Sequence, residues 1–333
     1  MYMIGCKVDV NWSYRGFNTI VMENENLRLS ILADYGAKVF ELIDKSISHD
    51  FLYHNPRVEP RVPVYGVNVD NWWCGGIDEA IPTGHPCYYK GENYPYLGEV
   101  WSLPWDHKIE KDETDEVTVH LWRTTIIAPL RVDRWITLKQ NTRMVYMHHK
   151  ITNIGYSKQE FIWGIHPSFY IEPGYRIELP AGNVMVHESL PNDRLGSKGT
   201  KYVWPYAVDK NGNKIDMREV PPPTVQTSDL HYAIQLKEGW FALIDPKNRR
   251  AIGMRFPKEV FKAVWLWLVY GGWRGLYCAA IEPWTGYPAR LDEAVRDGIY
   301  SELSPNESLE CDTRIVIFHK FSDIEEIINS LRS

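Results

Sequence analysis

The sequence predicts an all-β protein whose strands run antiparallel, and three observations carry that reading. Apolar and polar residues alternate in segment after segment, turn-forming groups of Asn, Asp, Gly and Pro separate those segments, and only the carboxy-terminal stretch has helical spacing. A chain of 333 residues is long for one domain. Sandwiches and barrels of strands nevertheless often exceed about 200 residues as one unit, so a single domain over residues 1–333 is the expectation.

Taken in order, Leu27, Leu29 and Ile31 alternate with Arg28 and Ser30, and Asp34, Tyr35 and Gly36 turn the chain into a second strand through Val39 and Leu42. The pattern returns at Val117, Val119 and Leu121, at Val132 to Leu138, and at Val145, Met147, His149 and Ile151. Asn153, Ile154 and Gly155 then read as a hairpin turn, because Asn and Gly tolerate positive φ. Residues 53–105 are rich in Pro, Gly, Trp and Tyr with little periodicity, which marks a functional loop. Residues 191–228, with Pro221, Pro222 and Pro223, read as a polar surface excursion. Strands resume at His231, through Ala233 to Leu236, then Phe241 and Leu243, a turn at Asp245 to Asn248, and Gly253 to Phe256. The continuous apolar run of residues 263–268 fits a strand covered on both faces. A last strand over residues 314–318 follows a turn at Ser304, Pro305 and Asn306. One amphipathic helix closes the chain, with Ser322 as cap, Glu325 three residues on, and Ile324, Ile327, Ile328 and Leu331 on one face. There is no internal repeat and no low-complexity tract.

Composition narrows the function classes. Hydrophobic residues at 44% and charged residues at 24% suit a globular chain with a large core. A formal charge of -6 without a basic cluster excludes a polyanion groove or a membrane-binding face. Cys6, Cys74, Cys87, Cys278 and Cys311 are scattered, which reads as reduced thiols. Met1 to Val10 lacks the basic and apolar regions of a leader, and the apolar run around residues 264–270 is too short to span a bilayer, so the cytoplasm is the expected location. The 14 tryptophans, 20 tyrosines and 10 phenylalanines exceed what a core readily takes. Flat amphipathic faces in such number suit a ligand that alternates CH and OH groups, a carbohydrate. Aromatic filling of a thick core is the competing explanation for any one of them.

Two side chains carry candidate chemistry. His166 is the only ionisable residue in Phe161, Ile162, Trp163, Gly164, Ile165, His166, Pro167, Ser168, Phe169, and a buried imidazole can serve as acid or base near neutral pH. A core histidine bonded to a backbone carbonyl is the plainer alternative. Pro167 argues for a strand end or edge there, since proline cannot donate to a ladder. Glu282 is likewise the lone charge in Ala280, Ile281, Glu282, Pro283, Trp284, Thr285. Desolvation at such a position raises a carboxyl's pKa, which suits a base, whereas a salt bridge to Arg274 or Arg290 would make it structural.

The run from Phe161 to Phe169, preceded by Ile151, Thr152 and Asn153, resembles a motif of the galactose mutarotase superfamily, the aldose 1-epimerase-like proteins. Ile281, Glu282 and Pro283, followed by Pro288 and by Pro305, Asn306, Glu307 and Ser308, resemble its carboxy-terminal glutamate motif and closing turn, and Leu27 to Asp44 resembles its opening strands. The resemblance implies an antiparallel β-supersandwich that interconverts the α and β anomers of an aldose. Glu282 would be the base at the anomeric hydroxyl and His166 the acid at the ring oxygen, without cofactor or metal. The chain departs from well-studied relatives in lacking a histidine before the glycine pair: Gly75 and Gly76 follow Asn71, Trp72, Trp73 and Cys74, and the nearest histidine is His85. Residues 75–82 and 98–105 resemble a less characterised branch, which points away from galactose as substrate.

In this reading Trp73, Trp101, Trp265, Trp267 and Trp284 stack on pyranose faces, and Glu79, Glu99 and Arg123 bond hydroxyls or an anionic substituent. Core packing and surface pairing compete for each. The expected partner is a small-molecule sugar, with no nucleic acid or membrane, and a homodimer is compatible with the sequence. A glycoside hydrolase would need two carboxylates about 5 to 9 Å apart, which Glu282 with Glu79 or Glu99 could supply. A lectin-like binding protein is the other class. His148 and His149 point to opposite faces of a strand and no HExxH occurs, so metal chemistry is weakly supported. Gly271, Gly272, Trp273, Arg274 and Gly275 lack the spacing and lysine of a phosphate loop.

Overall fold

The computed structural model describes residues 5–332. Met1 to Ile4, the start of the stretch read for a leader, lie outside the described residues. Where the sequence alternates, burial alternates with it: along Met144–Asn153 every second residue is buried, from Val145 to Asn153. Its antiparallel partner Leu130–Lys139 turns Val132, Arg134, Ile136 and Leu138 inward. A strand exposes successive side chains to opposite faces, so this two-residue period is enough to fix which face meets the core.

The chain divides into two compact units, one comprising residues up to His166 with Thr285–Arg314, the other Pro167–Trp284 with the chain from Ile315 onward. In the first unit Lys7–Tyr14, Phe17–Glu23, Leu27–Leu32, Lys38–Asp44 and Ile77–Ala80 lie side by side in one antiparallel ladder, and Asp106–Asp112, Glu116–Thr124, Leu130–Lys139 and Met144–Asn153 form another. In the second unit Lys201–Val203, Asn183–Leu190, Thr227–Ile234, Ala263–Tyr270 and Tyr277–Trp284 are neighbours in that order. Arg176–Glu178, Trp240–Asp245 and Arg250–Arg255 make a further ladder. The predicted all-β, antiparallel architecture with a short carboxy-terminal helix is what the chain adopts. No helix among the described residues is long and apolar enough to cross a membrane.

Several local readings need correction. Asn153 does turn the chain, its Oδ1 accepting the Gly155 N–H at 2.8 Å. The strand that follows, Gln159–Phe161, pairs with Ser301–Leu303 and forms no hairpin. The Gly164–Phe169 strand continues through Pro167, which costs one ladder donor without ending it. The helix Ile324–Arg332 buries Ile327 and Leu331 as predicted, but Asp323 Oδ1 caps it by accepting the Glu326 N–H, while Ser322 donates to the Glu326 carboxylate. A second short helix, Leu291–Arg296, went unread. Residues 53–105 and 191–228 contain the short strands Ile77–Ala80, Cys87–Tyr89, Glu92–Tyr94, Lys201–Val203, Tyr206–Val208 and Lys214–Asp216. Three or four residues are too few periods for a two-residue pattern to show.

One close approach bears on the site. Gly75 has φ +94°, and a Cβ there would lie 1.8 Å from the Tyr53 carbonyl oxygen. Only glycine relieves both constraints. Gly75→Ala is therefore expected to lower unfolding free energy by at least about 1–3 kcal/mol. Urea denaturation of the two proteins measures this, and equal midpoints would contradict it.

Candidate functional site

The first unit is organised around four residues, Ile77–Ala80, all buried. Asp78 and Glu79 are consecutive, so their carboxylates leave opposite faces of the strand. Asp78 Oδ1 accepts from Lys38 Nζ at 2.5 Å, and both side chains are 0–1% exposed. Lys38 Nζ also donates to the Gly75 carbonyl at 2.8 Å, and the Tyr35 hydroxyl donates to the Trp72 carbonyl at 2.9 Å. These bonds hold the stretch that carries Trp73. On the other face, Glu79 Oε1 accepts from the Trp163 indole N–H at 2.8 Å and Oε2 from Arg134 Nη1 at 3.2 Å. His149 Nδ1 lies 3.8 Å from Oε1, an electrostatic contact beyond hydrogen-bond length. Burial alone would raise the Glu79 carboxyl, but the neighbouring His149, the Arg134 charge and the Trp163 N–H hold it below the ordinary carboxylate range. Burial in turn holds the His149 imidazole below its ordinary value.

His166 is buried, and its ring and the Trp73 indole meet edge to face with centroids 6.4 Å apart. Trp73 stacks on Tyr53 at 5.6 Å. The backbone leading to His166 is fixed three residues earlier. Trp163 N–H donates to Thr285 Oγ1 at 2.9 Å, the Thr285 N–H returns a bond to the Trp163 carbonyl at 2.8 Å, and Ile162 N–H donates to the Pro82 carbonyl at 2.9 Å.

In the second unit, register places Glu282 opposite Trp265, and Trp265 opposite Tyr232. Directly opposed residues share a face, so Tyr232, Trp265 and Glu282 form one row across three strands. Ala263 and Trp284 lie in the row on one side and Trp267 and Ala280 in the row on the other. Trp265 and Trp284 stack with centroids 3.8 Å apart and 8° between planes, and the Trp284 indole N–H donates to Glu282 Oε2 at 2.9 Å. Glu282 is thus a buried carboxylate in an aromatic wall. Trp267 is half-buried and meets Trp273 edge to face at 5.4 Å. The opposite face of this sheet bears His231, whose pKa burial lowers to about 3. That imidazole is neutral throughout the working range and cannot donate a proton as imidazolium.

The other residues singled out from sequence are placed as follows. Glu99 Oε2 accepts from the N–H groups of Ile126 and Ile127 and from the Tyr65 hydroxyl, and Oε1 from Ala128 N–H. It ties two loops of the first unit together. Trp101 is 1% exposed, with its indole N–H on the Tyr96 carbonyl. Arg123 is half-buried, and its Nε has no hydrogen-bond partner among the described residues. Arg290 is engaged by Asp292 at 2.8 Å, and the Arg274 guanidinium lies over the Trp273 ring at 4.6 Å. Among the described residues no three His, Cys, Asp or Glu side chains converge as metal ligands. Lys38, Asp78, Arg134 and Trp163 were not read from sequence; a lysine and an arginine within otherwise apolar strand faces were the available signal.

No protein-family model matches the chain. Solved structures do. A candidate aldose 1-epimerase from Klebsiella pneumoniae superposes with a TM-score of 0.75 at 13% identity, over 98% of this chain and 86% of its own. A galactose mutarotase related enzyme from Lactobacillus acidophilus gives 0.63 at 15% identity, over 92% of this chain and 98% of its own. A galactose mutarotase-like protein from Clostridium acetobutylicum gives 0.63 at 12% identity, over 95% and 99%. The chain therefore has the galactose mutarotase-like fold, that of the superfamily its motifs resemble.

The Arg134–Glu79 pair has a testable pH signature. The folded pKa of Glu79 lies below its unfolded value of 4.5, so its contribution to stability is complete above 4.5 and is lost as pH falls through the folded value. Glu79→Gln leaves Arg134 buried without its counter-charge and is expected to cost about 3–5 kcal/mol at pH 7. Denaturant unfolding of both proteins at pH 7 and pH 3 should show that difference shrinking at the lower pH; a constant difference would refute the assignment.

Proposed function

We propose that the protein interconverts the α and β anomers of a free or substituted aldose, with Glu282 as base and His166 as acid. The Glu282 carboxylate takes the proton from the anomeric hydroxyl, the C1–O1 bond becomes a carbonyl, and the C1–O5 bond breaks. The ring oxygen takes its proton from the His166 imidazolium. Rotation about C1–C2 presents the other carbonyl face, and ring closure runs the same transfers in reverse. Both groups return to their starting charge and nothing is consumed, so the cycle needs no external reagent.

The observation that carries this reading is the setting of Glu282: a buried carboxylate on a sheet face walled by Tyr232, Trp265 and Trp284. Indole faces pack on sugar CH groups, and exclusion of water strengthens a proton-transfer pair. The shared fold supports it. Glu79 and Glu99, which a hydrolase would draw on, are occupied by internal partners, and this weighs against glycoside cleavage. Half-buried Trp267 and Arg123 are the residues we assign to the remainder of the sugar, and Trp73 to the packing of the acid. The five buried cysteines form no disulfide, which suits action in the cytoplasm.

Saturation-transfer NMR on a panel of free, phosphorylated and acidic aldoses tests the proposal. The wild type should accelerate exchange between anomers for at least one sugar, and Glu282→Gln and His166→Gln should each reduce it by about 10²–10⁴-fold. Saturable binding with no exchange would mean a lectin; a new reducing end released from a glycoside would mean a hydrolase.

A further inference from the structure

The geometry points to the dipeptide Asp78–Glu79 as a two-part brace that positions His166, each carboxylate acting through one aromatic residue. This rests on His166 being the acid proposed above.

Glu79 acts along the strand that bears His166. It accepts the Trp163 indole N–H at 2.8 Å, and with Thr285 on the Trp163 backbone this anchors both the side chain and the main chain of that residue three positions before the imidazole. Asp78 acts on the ring's neighbour. It holds Lys38, Lys38 holds the Gly75 carbonyl, and Tyr35 holds the Trp72 carbonyl, so Trp73 between them is set in its edge-to-face contact with His166. Gly76 permits this closeness, because a Cβ there would lie 2.7 Å from the Val39 carbonyl oxygen and 3.2 Å from the Lys38 side chain. Two adjacent acids, on opposite faces of one short strand, thus each act on one aromatic residue. That gives a purpose to the Gly75–Pro82 stretch, where the chain departs from well-studied mutarotases. A proton donor held within a fraction of an ångström of its working position gains much of its rate from that placement alone.

Asp78 and Glu79 are positioning residues and do not touch the sugar, so the test uses variants that spare both ion pairs. Trp163→Phe removes the indole N–H given to Glu79 together with part of the buried ring, and Tyr35→Phe deletes only the hydroxyl given to Trp72; Trp12→Phe, at a tryptophan 53% exposed, is the control. Two readouts are taken: the imidazole carbon and nitrogen NMR resonances of His166, and kcat and KM for anomer exchange. Each test variant should move the His166 resonances and lower kcat about tenfold with KM within about twofold of wild type, while the control changes neither. His166 resonances and kcat unchanged in both variants would overturn the brace. If the wild type exchanges no aldose, the catalytic reading fails, and the resonances alone then decide whether the brace exists.

Discussion

Two ion pairs removed from water, Lys38 with Asp78 and Arg134 with Glu79, are the constraint on which the first unit depends. Their four side chains are at most 2% exposed. Burying one such charge without its partner costs several kcal/mol, while a hydrophobic replacement of the whole pair is often no less stable. What the pairs add here is direction. Arg134 also donates to the Ala37 carbonyl and lies over Trp105 at 5.2 Å, and Lys38 lies over Tyr35 at 4.9 Å. Each cation is therefore held by carboxylate, carbonyl and ring together. A slipped register of Ile77–Ala80 would exchange the faces of Asp78 and Glu79 and strand both cations.

The second unit solves a different problem. Its candidate carboxylate stands in a row of aromatic rings, and one of its oxygens accepts an indole N–H. The stacked pair of Trp265 and Trp284 gives this wall its rigidity, because two indoles in contact at 3.8 Å lose little further freedom when a ligand arrives. The strand Thr227–Ile234 buries Asp229 and His231 on its other face, where Arg194 and Ser189 bond the Asp229 carboxylate.

How much was legible in the sequence depended on how far each partner lay along the chain. Met144–Asn153 was readable because its period is local and uninterrupted. His166 and Glu282 stood out as lone charges within apolar runs, and the motifs around them led to the fold. Glu79 reads from sequence as a residue that could bond a sugar hydroxyl; its partners Arg134 and Trp163 are 55 and 84 residues away, and no local pattern reveals them. Tryptophans were equally hard to sort. Trp101 and Trp265 carry similar aromatic and apolar neighbours in sequence, yet one has its indole N–H on a nearby carbonyl in a closed loop and the other stands beside a carboxylate. Short elements failed for want of length: Leu291–Arg296 is less than two turns and carries no side-chain cap bond.

An experimental structure with a bound aldose is the decisive test of the proposal that His166 and Glu282 handle one sugar together. The anomeric oxygen is expected within about 2.6–3.2 Å of the Glu282 carboxylate and the ring oxygen equally close to a ring nitrogen of His166. A sugar seated against only one of these side chains, or against neither, would contradict it.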